Sequence, residues 1–312
     1  MYSCHMEPDL FDCIVIGAGP AGLSASLFLA RYRRKVLTLH HKSPRNIYSH
    51  GVHGFLGHHG ISPTELLARG TEEVLAHGGM IIEACATKVE RTPAGLFRVV
   101  TADPNGRCYE TQRLLLATGL RDMTPDCAGF REFYGTSVFH CPDCDGYEVA
   151  GKRVAVLGHN EHVVGFTLEL LTWTDRLTVL TDGHQPDVDQ QSIAKLAEFN
   201  IAIQNEKVMA LDGDFATGQL RSVQFASGPP LNCDALFFNL GTEPASRLHE
   251  MLGCKTQDDF VWVDKAQQTS EEGVYAAGDI TPYSQLAVVA AAEGAMAAIH
   301  IHESLIPPSR RV

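Results

Sequence analysis

Two cysteines near the middle of the chain, Cys141 and Cys144, have the spacing of a redox-active pair, and an acid, Asp145, follows directly. Thiols separated by two residues close a small disulfide ring, so one thiolate attacks a partner disulfide and the other resolves the mixed disulfide. The same spacing occurs as half of a zinc site, but a second Cys-x-x-Cys or a His pair would have to follow, and neither does. We therefore predict a redox pair rather than a metal site.

The composition limits the class of protein that carries this pair. A length of 312 residues suggests two domains, and a hydrophobic content of 45% suggests globular cores. The formal net charge of −12 argues against nucleic-acid or anionic-membrane partners. Nine cysteines without framework spacing fit a reducing compartment, and no apolar run has the length of a signal peptide or a membrane span. We expect a cytoplasmic protein.

The N-terminal region predicts a dinucleotide-binding fold. An apolar strand over residues 11–16 runs into G-x-G-x-x-G at residues 17–22, and a helix follows over residues 23–30. In this context Gly17 permits the tight turn, Gly19 lets the backbone approach a pyrophosphate, and Gly22 lets the helix pack on the strand. The helix N-terminus then faces the phosphates. The candidate cofactor-binding residues of this turn are Gly17, Gly19, Pro20, Ala21 and Gly22.

The second strand, at residues 35–39, is expected to end in an acid that binds the adenosine ribose, and His40 stands there instead. Two interpretations stay open: His40 hydrogen-bonds a ribose hydroxyl, or it is a solvated strand end. A loop rich in glycine and histidine follows at residues 51–60; its irregular histidine spacing favours a loop over a cofactor rather than a metal site. Ser62 and Pro63 predict the start of a helix that runs to about His77.

Short alternating strands over residues 80–116, separated by turns at 93–95 and 103–106, predict a β-meander. It ends at Thr118 and Gly119, where a strand turns beneath a bound nucleotide. Near the C-terminus, Gly278 and Asp279 follow an apolar strand and suit a ribityl or phosphate contact. The Ala-rich helix after them, at about 284–303, has the small residues that close helix packing requires.

A second nucleotide fold is predicted after a crossover at residues 121–129, but its turn is altered. A strand over 152–157 leads to Gly158, and the second glycine of the fingerprint is replaced by Asn160. Glu161 adds a carboxylate that repels phosphate, and no arginine pair for a 2′-phosphate follows the next strand. Asp182 could suit the ribose of NADH. We predict no NADPH use and favour the absence of any tight nicotinamide site, with NADH left open.

These elements predict an α/β protein with two Rossmann-like, three-layer domains, the second inserted in the first, together with a β-meander. Residues 1–120 and 245–312 are expected to form the first domain. Residues 121–244 are expected to form the degenerate nucleotide-binding domain that carries the cysteine pair.

Four motifs together resemble low-molecular-weight thioredoxin reductases over nearly the whole chain. They are G-x-G-x-x-G at 17–22, A-T-G at 117–119, C-P-D-C-D-G at 141–146 and G-V-Y-A-A-G-D at 273–279. The segments at 44–46 and 53–57 and the run C-P-x-C-D-G-Y-E are more similar to two side branches. One holds dithiol oxidases that close disulfides in gliotoxin-, holomycin- and romidepsin-type products. The other holds reductase-like flavoproteins that are fed by ferredoxin or a second flavin.

The resemblance implies FAD as cofactor and a role for each catalytic candidate. Cys144 would face the flavin, Cys141 would exchange with the substrate, and Asp145 would move a proton. His140, directly before the pair, would lower the pKa of Cys141, relay a proton or be structural, and these options stay open. The further cofactor-binding candidates are His40, Arg45, Asn46, Thr118, Gly119, Gly278, Asp279, Gln285 and Leu286.

Three functions are compatible with these motifs. The first is an FAD-dependent oxidation of a dithiol, with oxygen as acceptor and without NADPH, in a homodimer as the resemblance implies. The second is the reverse: reduction of a disulfide in a small molecule or a thioredoxin-like protein with electrons from ferredoxin or a second flavin. The third is a non-enzymatic flavin redox sensor, and the intact C-x-x-C-D run argues against it.

Overall fold

The computed structural model describes residues 9–41, 44–102 and 107–310. The turn predicted at 103–106 lies outside these ranges. The chain forms two compact units: the first comprises the described parts of Met1–Ile47, Ser62–Arg121 and Glu243–Val312, and the second comprises Tyr48–Ile61 and Asp122–Thr242. No helix of the described ranges combines the length and the apolar composition that a membrane crossing requires.

The helices of the described residues are α1 (Pro20–Arg31), α2 (Pro63–Ala76), α3 (Phe130–Phe133), α4 (Pro142–Asp145), α5 (Val163–Glu169), α6 (Gln190–Glu198), α7 (Leu248–Met251) and α8 (Ala287–Ser304). Three short 3₁₀ turns accompany them, at Tyr147–Val149, Leu170–Thr172 and Pro308–Arg310. The predicted cap of α2 is confirmed, because the backbone N–H of Glu65 donates to Ser62 Oγ at 3.1 Å.

The strands of the described residues are, in chain order, β1 (Leu10–Ile16), β2 (Val36–His40), β3 (Met80–Glu83), β4 (Ala86–Arg91), β5 (Phe97–Thr101), β6 (Cys108–Leu116), β7 (Leu120–Asp122), β8 (Val138–Phe139), β9 (Val154–Leu157), β10 (Leu177–Leu180), β11 (Ala202–Gln204), β12 (Val208–Asp214), β13 (Gln219–Phe225), β14 (Leu231–Asn232), β15 (Ala235–Phe238), β16 (Thr242–Pro244), β17 (Thr256–Gln257), β18 (Phe260–Val261) and β19 (Val274–Ala276).

The first unit is built on one sheet with the order β3-β2-β1-β6-β5-β4, and β19 pairs with β6. Its pairs β2–β3, β1–β2, β1–β6 and β6–β19 are parallel. The apolar run of β1 is buried from Cys13 to Ile16, as expected for a strand covered on both faces. The Rossmann-like layer predicted for this part of the chain is therefore present.

The small residues of α8 allow it to pack closely on α1, as the sequence predicts. A Cβ added at Gly294 would overlap the backbone of Ala21 in α1, so only glycine fits there. Ala290, Ala297 and Ala298 are buried in the same cluster. This contact brings the start of α1 close to the segment that contains Gly278, because a Cβ added at Gly278 would lie 2.9 Å from Ala21 Cβ.

The predicted β-meander is confirmed for β4, β5 and β6, which pair antiparallel. The prediction was wrong for β3, which pairs parallel with β2 as the edge of the main sheet. A four-residue, half-exposed strand looks the same in sequence whether its partner is parallel or antiparallel. Whether β3 belongs to the meander or to the parallel sheet depends on the strand with which it pairs, and that strand is distant in sequence.

The second unit contains a parallel sheet with the order β11-β10-β9-β15-β8, as a second Rossmann-like fold requires. A separate antiparallel sheet, β12-β13-β14, lies in the same unit. The predicted helix after β9 is shorter than expected: α5 ends at Glu169, and a 3₁₀ turn follows.

The division of the chain differs from the expected one at residues 48–61, which the sequence placed in the first domain. The segment packs with residues 122–242 instead. The rings of Tyr48 and Tyr134 lie 5.4 Å apart, and His50 Nε2 lies 2.6 Å from Thr136 Oγ1. A Cβ added at Gly135 would overlap the backbone of Tyr48, which only a glycine permits. These contacts are between residues distant in sequence, so no local pattern announced them.

Candidate active site

The predicted redox pair is a disulfide at the start of α4. Cys141 and Cys144 are bonded, with their Cα atoms 5.3 Å apart. Cys141 is the extended residue before the helix, and Pro142 provides a first helical residue whose φ is already set. The backbone N–H of Cys144 donates to Cys141 Sγ at 3.2 Å. A reduced Cys141 would keep this donor, which favours its thiolate.

A backbone hydrogen bond and one aromatic ring hold the turn that follows the disulfide. Gly146 closes α4 with a hydrogen bond of 2.7 Å from its N–H to the carbonyl of Pro142. A Cβ at Gly146 would lie 2.6 Å from the ring of Trp173, so the glycine lets this ring pack against the turn. The half-buried Trp173 was missed in the sequence analysis, since a lone tryptophan 27 residues after Gly146 carries no signal of this contact.

Asp145, the last residue of α4, titrates close to neutral pH. Burial of its carboxyl, with a smaller contribution from the negative charge of Glu148, raises its pKa from 3.8 to about 7. Since a group with a pKa near the working pH both accepts and returns a proton, Asp145 has the properties of a general acid–base.

Glu148, three residues after Asp145, pairs with a histidine from the segment 48–61. Glu148 Oε1 is 3.6 Å from His53 Nε2. The other two polar atoms of this pair, Glu148 Oε2 and His53 Nδ1, are buried and find no hydrogen-bond partner in the described part of the chain. The rings of His53 and His59 lie 5.1 Å apart. Both residues stand in segments that carried the resemblance, His53 at the start of 53–57 and Glu148 at the end of C-P-x-C-D-G-Y-E, but neither was predicted as a site residue.

The histidine-rich loop, which the sequence favoured as a cofactor loop rather than a metal site, contributes His53 to the cluster next to the disulfide. Within the ranges that the structure describes, no group of three or more His, Cys, Asp or Glu side chains has an arrangement that would hold a metal ion.

His140 is held in a network of its own. Its Nδ1 lies 3.2 Å from Tyr134 Oη, and its Nε2 lies 3.9 Å from Asp122 Oδ2. Tyr134 Oη also donates to Asp122 Oδ2 at 3.2 Å. The ring centroids of Tyr134 and Phe238 lie 6.1 and 6.0 Å from that of the imidazole. These contacts support the structural option for His140; Tyr134 and Asp122 were not recognised from sequence.

In the first unit, the glycine-rich turn has the shape that a pyrophosphate needs. Gly17 has a φ of +115°, and a Cβ there would overlap the carbonyl oxygen of Ala117. A Cβ at Gly22 would overlap the carbonyl of Gly17. Among the described residues, in contrast, no atom lies within 4 Å of a Cβ added at Gly19, and no side chain of these residues caps α1. The turn is closely packed inward and open outward, so it fits the phosphates of a dinucleotide.

The other candidates of this unit lie at the ends of the neighbouring strands. Pro20 is the first residue of α1, and Ala21 is buried behind it. His40 ends β2 and pairs in register with Glu83. Thr118 and Gly119 follow β6; Gly119 has a φ of +67° and open space at its Cβ position. Because the carboxyl ends of parallel strands share one edge, these residues lie where a doubly wound sheet binds its ligand.

Arg45 is hydrogen-bonded to two other cofactor-binding candidates, so three residues that the sequence named separately lie together. Its Nη1 donates to Asp279 Oδ2 at 3.1 Å and to Gln285 Oε1 at 2.5 Å. Asn46 lies in the same turn, which the N–H of Ile47 closes on the carbonyl of Pro44. Leu286 is the N-cap residue of α8, and no side chain in the described part of the chain caps that helix.

Glu293 is a residue that the sequence analysis missed. Its Oε2 accepts from the N–H of Gly278 at 2.7 Å and from Thr281 Oγ1 at 2.8 Å, and the side chain is buried. Burial raises the pKa of this carboxyl. Glu293 therefore fixes the backbone of the Gly278–Asp279 turn from inside α8.

In the second unit, the turn after β9 is occupied by its own side chains. Asn160 Nδ2 donates to the carbonyl of Asn239 at 3.0 Å, and Asn160 Oδ1 accepts from the N–H of His162 at 3.0 Å. Asp182, the carboxylate considered for an NADH ribose, accepts a hydrogen bond at its Oδ1 from the N–H of Val208 at 2.8 Å. One of its oxygens is therefore already engaged within the protein.

Two histidines stack beside that turn. The rings of His159 and His184 lie 4.2 Å apart at an angle of 18°. Burial and the nearby His184 lower the pKa of His159, so its neutral form is favoured. His159 Nδ1 is buried and has no hydrogen-bond partner in the described ranges. The turn thus combines an asparagine in place of the second glycine with a closely stacked imidazole pair.

The fold and these sites agree with the comparisons to known proteins. Residues 11–294 match the model of the pyridine nucleotide-disulphide oxidoreductase family, and the chain belongs to that family. Within it the chain is thioredoxin reductase-like, as the motifs predicted. The match covers both units and includes the glycine-rich turn and the disulfide.

Three relatives illustrate the likeness. A thioredoxin reductase of Treponema pallidum is 29% identical over 94% of this chain and 96% of its own. The thioredoxin reductase sirT of Leptosphaeria maculans is 28% identical over 87% of each chain. The crystal structure of a putative thioredoxin reductase TrxB from Bacillus anthracis superposes with a TM-score of 0.87, at 32% identity, and covers 95% of this chain and 98% of its own.

The chain is accordingly an FAD-dependent disulfide oxidoreductase with two Rossmann-like folds. Its cofactor is FAD, as in the family to which it belongs, and the open turn at Gly19 fits the pyrophosphate of that cofactor.

Proposed function

We propose that the protein oxidises a dithiol to a disulfide through Cys141–Cys144 and FAD, with dioxygen as the acceptor and without NADPH. The observation that carries this proposal is the contrast between the two nucleotide folds. The turn at Gly19 is open, whereas the equivalent turn of the second unit is bridged by Asn160 to Asn239. A dithiol then has to supply electrons through the disulfide, which is complete and lies beside a suitable acid–base.

The first chemical step is thiol–disulfide exchange at Cys141. A substrate thiol gives its proton to Asp145, and its sulfur bonds to Cys141 Sγ while the bond to Cys144 breaks. The N–H of Cys144, which donates to Cys141 Sγ, then favours the departure of Cys141 when the second substrate thiol attacks. The products are the substrate disulfide and two reduced cysteines, so sulfur, electrons and protons balance.

The residues that would hold FAD are those of the first unit. The turn at Gly17–Gly22 would bind the pyrophosphate, His40 the adenosine ribose, and Asp279, held by Arg45, the ribityl or phosphate region. Bound FAD supplies a two-electron acceptor for the reduced cysteine pair and a route from there to dioxygen.

The reverse reaction is the second candidate, because the three relatives described above are named as thioredoxin reductases, one of them as a putative one. In that case electrons from ferredoxin or a second flavin would reduce a small or protein disulfide. The two directions differ in their electron source and use the same pair, so kinetics decide between them.

Aerobic turnover tests the proposed direction. The purified FAD-loaded protein is mixed with dithiothreitol, and hydrogen peroxide and oxidised dithiothreitol are both measured. We expect equal amounts of the two products and no dependence on added NADPH. Strict dependence of disulfide reduction on NADPH, with no peroxide from dithiols, would contradict the proposal.

We also propose a homodimer that pairs the exposed apolar residues of α1 and α8. Phe28 on α1, Tyr32 directly after α1, and Val288 and Met296 on α8 are 37–41% exposed. Burial of such a patch is typical of subunit contacts. Light scattering should give twice the chain mass of 34.0 kDa, and a Phe28→Asp variant should shift it towards the monomer.

A cytoplasmic location is part of the same proposal. Burial raises the pKa of the Cys13, Cys127, Cys233 and Cys254 thiols, to about 11 at Cys127 and about 12 at Cys233. These cysteines are thiols. Fractionation of expressing cells, with the protein recovered from the cytosol, would support this location, and recovery from the culture medium would contradict it.

A further inference from the structure

We propose that Glu148 and His53 form a proton-holding pair next to Asp145, so that the second proton of a dithiol is stored there while the disulfide opens. The inference rests on the proposed dithiol–disulfide exchange but not on its direction or on oxygen. It assigns roles to two residues that stand in the motifs, Glu148 at the end of C-P-x-C-D-G-Y-E and His53 at the start of 53–57, and that had no role there.

The geometry of the pair is the first argument. Glu148 Oε1 lies 3.6 Å from His53 Nε2, a distance that shortens to a hydrogen bond with a small side-chain movement. Buried polar atoms are almost always hydrogen-bonded, so the buried, unpartnered Glu148 Oε2 and His53 Nδ1 are exceptions that call for an explanation. One carboxylate oxygen and one ring nitrogen are thus left to receive and release protons.

The position of the pair along the chain is the second argument. The 3₁₀ turn Tyr147–Val149 follows α4 with only Gly146 between them, so Glu148 is three residues from Asp145. The negative charge of Glu148 contributes to the raised pKa of Asp145. The charge of Glu148 therefore acts on the proton affinity of Asp145.

The number of protons that a dithiol releases on oxidation is the third argument. Each of the two substrate thiols loses a proton as its sulfur becomes part of the new disulfide. The electron pair enters the Cys141–Cys144 bond and leaves two cysteine sulfurs, of which one stays a thiolate whenever its proton is held elsewhere. When Cys141 and Cys144 are both thiolates, Asp145 holds one of the two protons, and a second acceptor close by holds the other. Glu148, with the imidazole of His53 behind it, is that acceptor.

The surrounding charges do not neutralise the pair. In the described ranges, neither Asp145 nor Glu148 forms an ion pair with a lysine or arginine. The other titratable groups of the region are His59, whose ring packs on His53, together with Asp143 and Glu169. Asp143 acts on Glu169 by raising its pKa, and burial is the larger cause of that shift. His53 is thus the basic side chain that pairs with Glu148.

The test is the pH dependence of disulfide opening, measured under anaerobic conditions in the FAD-loaded protein. Dithiothreitol is added, the reaction is quenched with an alkylating reagent, and the labelled Cys141 and Cys144 are counted by mass spectrometry. The variants are Glu148→Gln, His53→Gln and the double variant, and Glu169→Gln is the matched control. Dioxygen and nicotinamide play no part in this half-reaction. The result can therefore be interpreted even if the oxidase proposal is wrong.

In the wild type, the rate rises with pH as Asp145 loses its proton. We expect Glu148→Gln to move this rise to lower pH by about 0.5 unit or more, because a negative neighbour has been removed. His53→Gln should slow the opening by about tenfold, and the double variant should be no slower than the slower single variant. Glu169→Gln should follow the wild type.

A second readout separates a proton-transfer role from a packing role. Infrared titration of the oxidised protein follows the Asp145 carboxyl directly, with Asp145→Asn as the reference for its band. The proposal predicts that this band titrates at lower pH in Glu148→Gln. An unchanged titration in Glu148→Gln, or rate losses in the two single variants that multiply in the double variant, would overturn it.

Discussion

At the scale of single residues, the chemistry depends on a disulfide with a nearby carboxyl of raised pKa. Asp145 owes its pKa of about 7 mainly to burial, with Glu148 as a secondary cause. The buried cysteines elsewhere have raised pKa values and are poor thiolates at neutral pH. These buried thiols are therefore poor candidates for the exchange that we assign to Cys141 and Cys144.

Replacement of one cysteine of the pair should abolish turnover. Cys144→Ser cannot form the disulfide, so dithiol oxidation should fall by about 10³-fold or more. Oxygen uptake with dithiothreitol measures this. Cys85→Ser, which changes an exposed thiol outside the pair, is the control and should keep the wild-type rate. Substantial turnover by Cys144→Ser would remove the pair from the mechanism.

Loss of the Asp145 carboxyl should change the pH profile. The carboxylate is the form that accepts a thiol proton, and it appears as pH rises through its pKa of about 7. The wild-type rate should therefore increase around neutral pH. Asp145→Asn should be slower by about 10²-fold and lack this step, as seen in stopped-flow rates from pH 5 to 9. A profile with the same midpoint in Asp145→Asn would assign the step to another group.

At the scale of elements, the first nucleotide fold was predictable because its signal is local. Strand, turn and helix follow one another between Leu10 and Arg31, and each glycine has its reason within a few residues. The contacts that complete the sites join distant segments: Asn160 and Asn239 are 79 positions apart, and Arg45 and Gln285 are 240 apart. No periodicity in the sequence records such pairs.

The same limit explains the two structural corrections. The class of β3 depends on its partner β2, and the place of residues 48–61 depends on contacts with Tyr134 and Thr136. Glu293 was missed because a carboxyl inside an Ala-rich helix gives no hint that it binds the Gly278 turn.

Two glycines of the first turn should respond differently to substitution. At Gly19 the outward space is open and φ is −73°, so Gly19→Val should fold normally and lower FAD affinity by about tenfold or more, equivalent to about 1.4 kcal/mol. At Gly17 an added Cβ overlaps Ala117, so Gly17→Ala should lower Tm by about 4–10 °C.

Flavin absorbance and thermal melts of apoprotein separate the two effects. A Gly19→Val protein with normal flavin content would show that the pyrophosphate does not approach the backbone there. A Gly17→Ala protein with the Tm of the wild type would show that the turn can relax.

At the scale of the whole molecule, the two Rossmann-like folds differ in the turn that would bind a dinucleotide. The first retains an uncapped helix and an open glycine, while the second has Asn160 bonded across its turn and the stacked rings of His159 and His184 beside it. With a net charge of −12, the protein also offers little attraction to the phosphates of NADPH. Electrons from a dithiol then enter through the cysteine pair.

Anaerobic reduction of the bound flavin tests this account most directly. The yellow protein is mixed in a stopped-flow instrument with dithiothreitol, NADPH or NADH. The loss of flavin absorbance is followed at the visible absorption maximum of the flavin, about 450 nm. The account predicts rapid bleaching by the dithiol, recovery on admission of air with formation of peroxide, and no rapid bleaching by NADPH. Rapid bleaching by NADPH, with none by the dithiol, would contradict it.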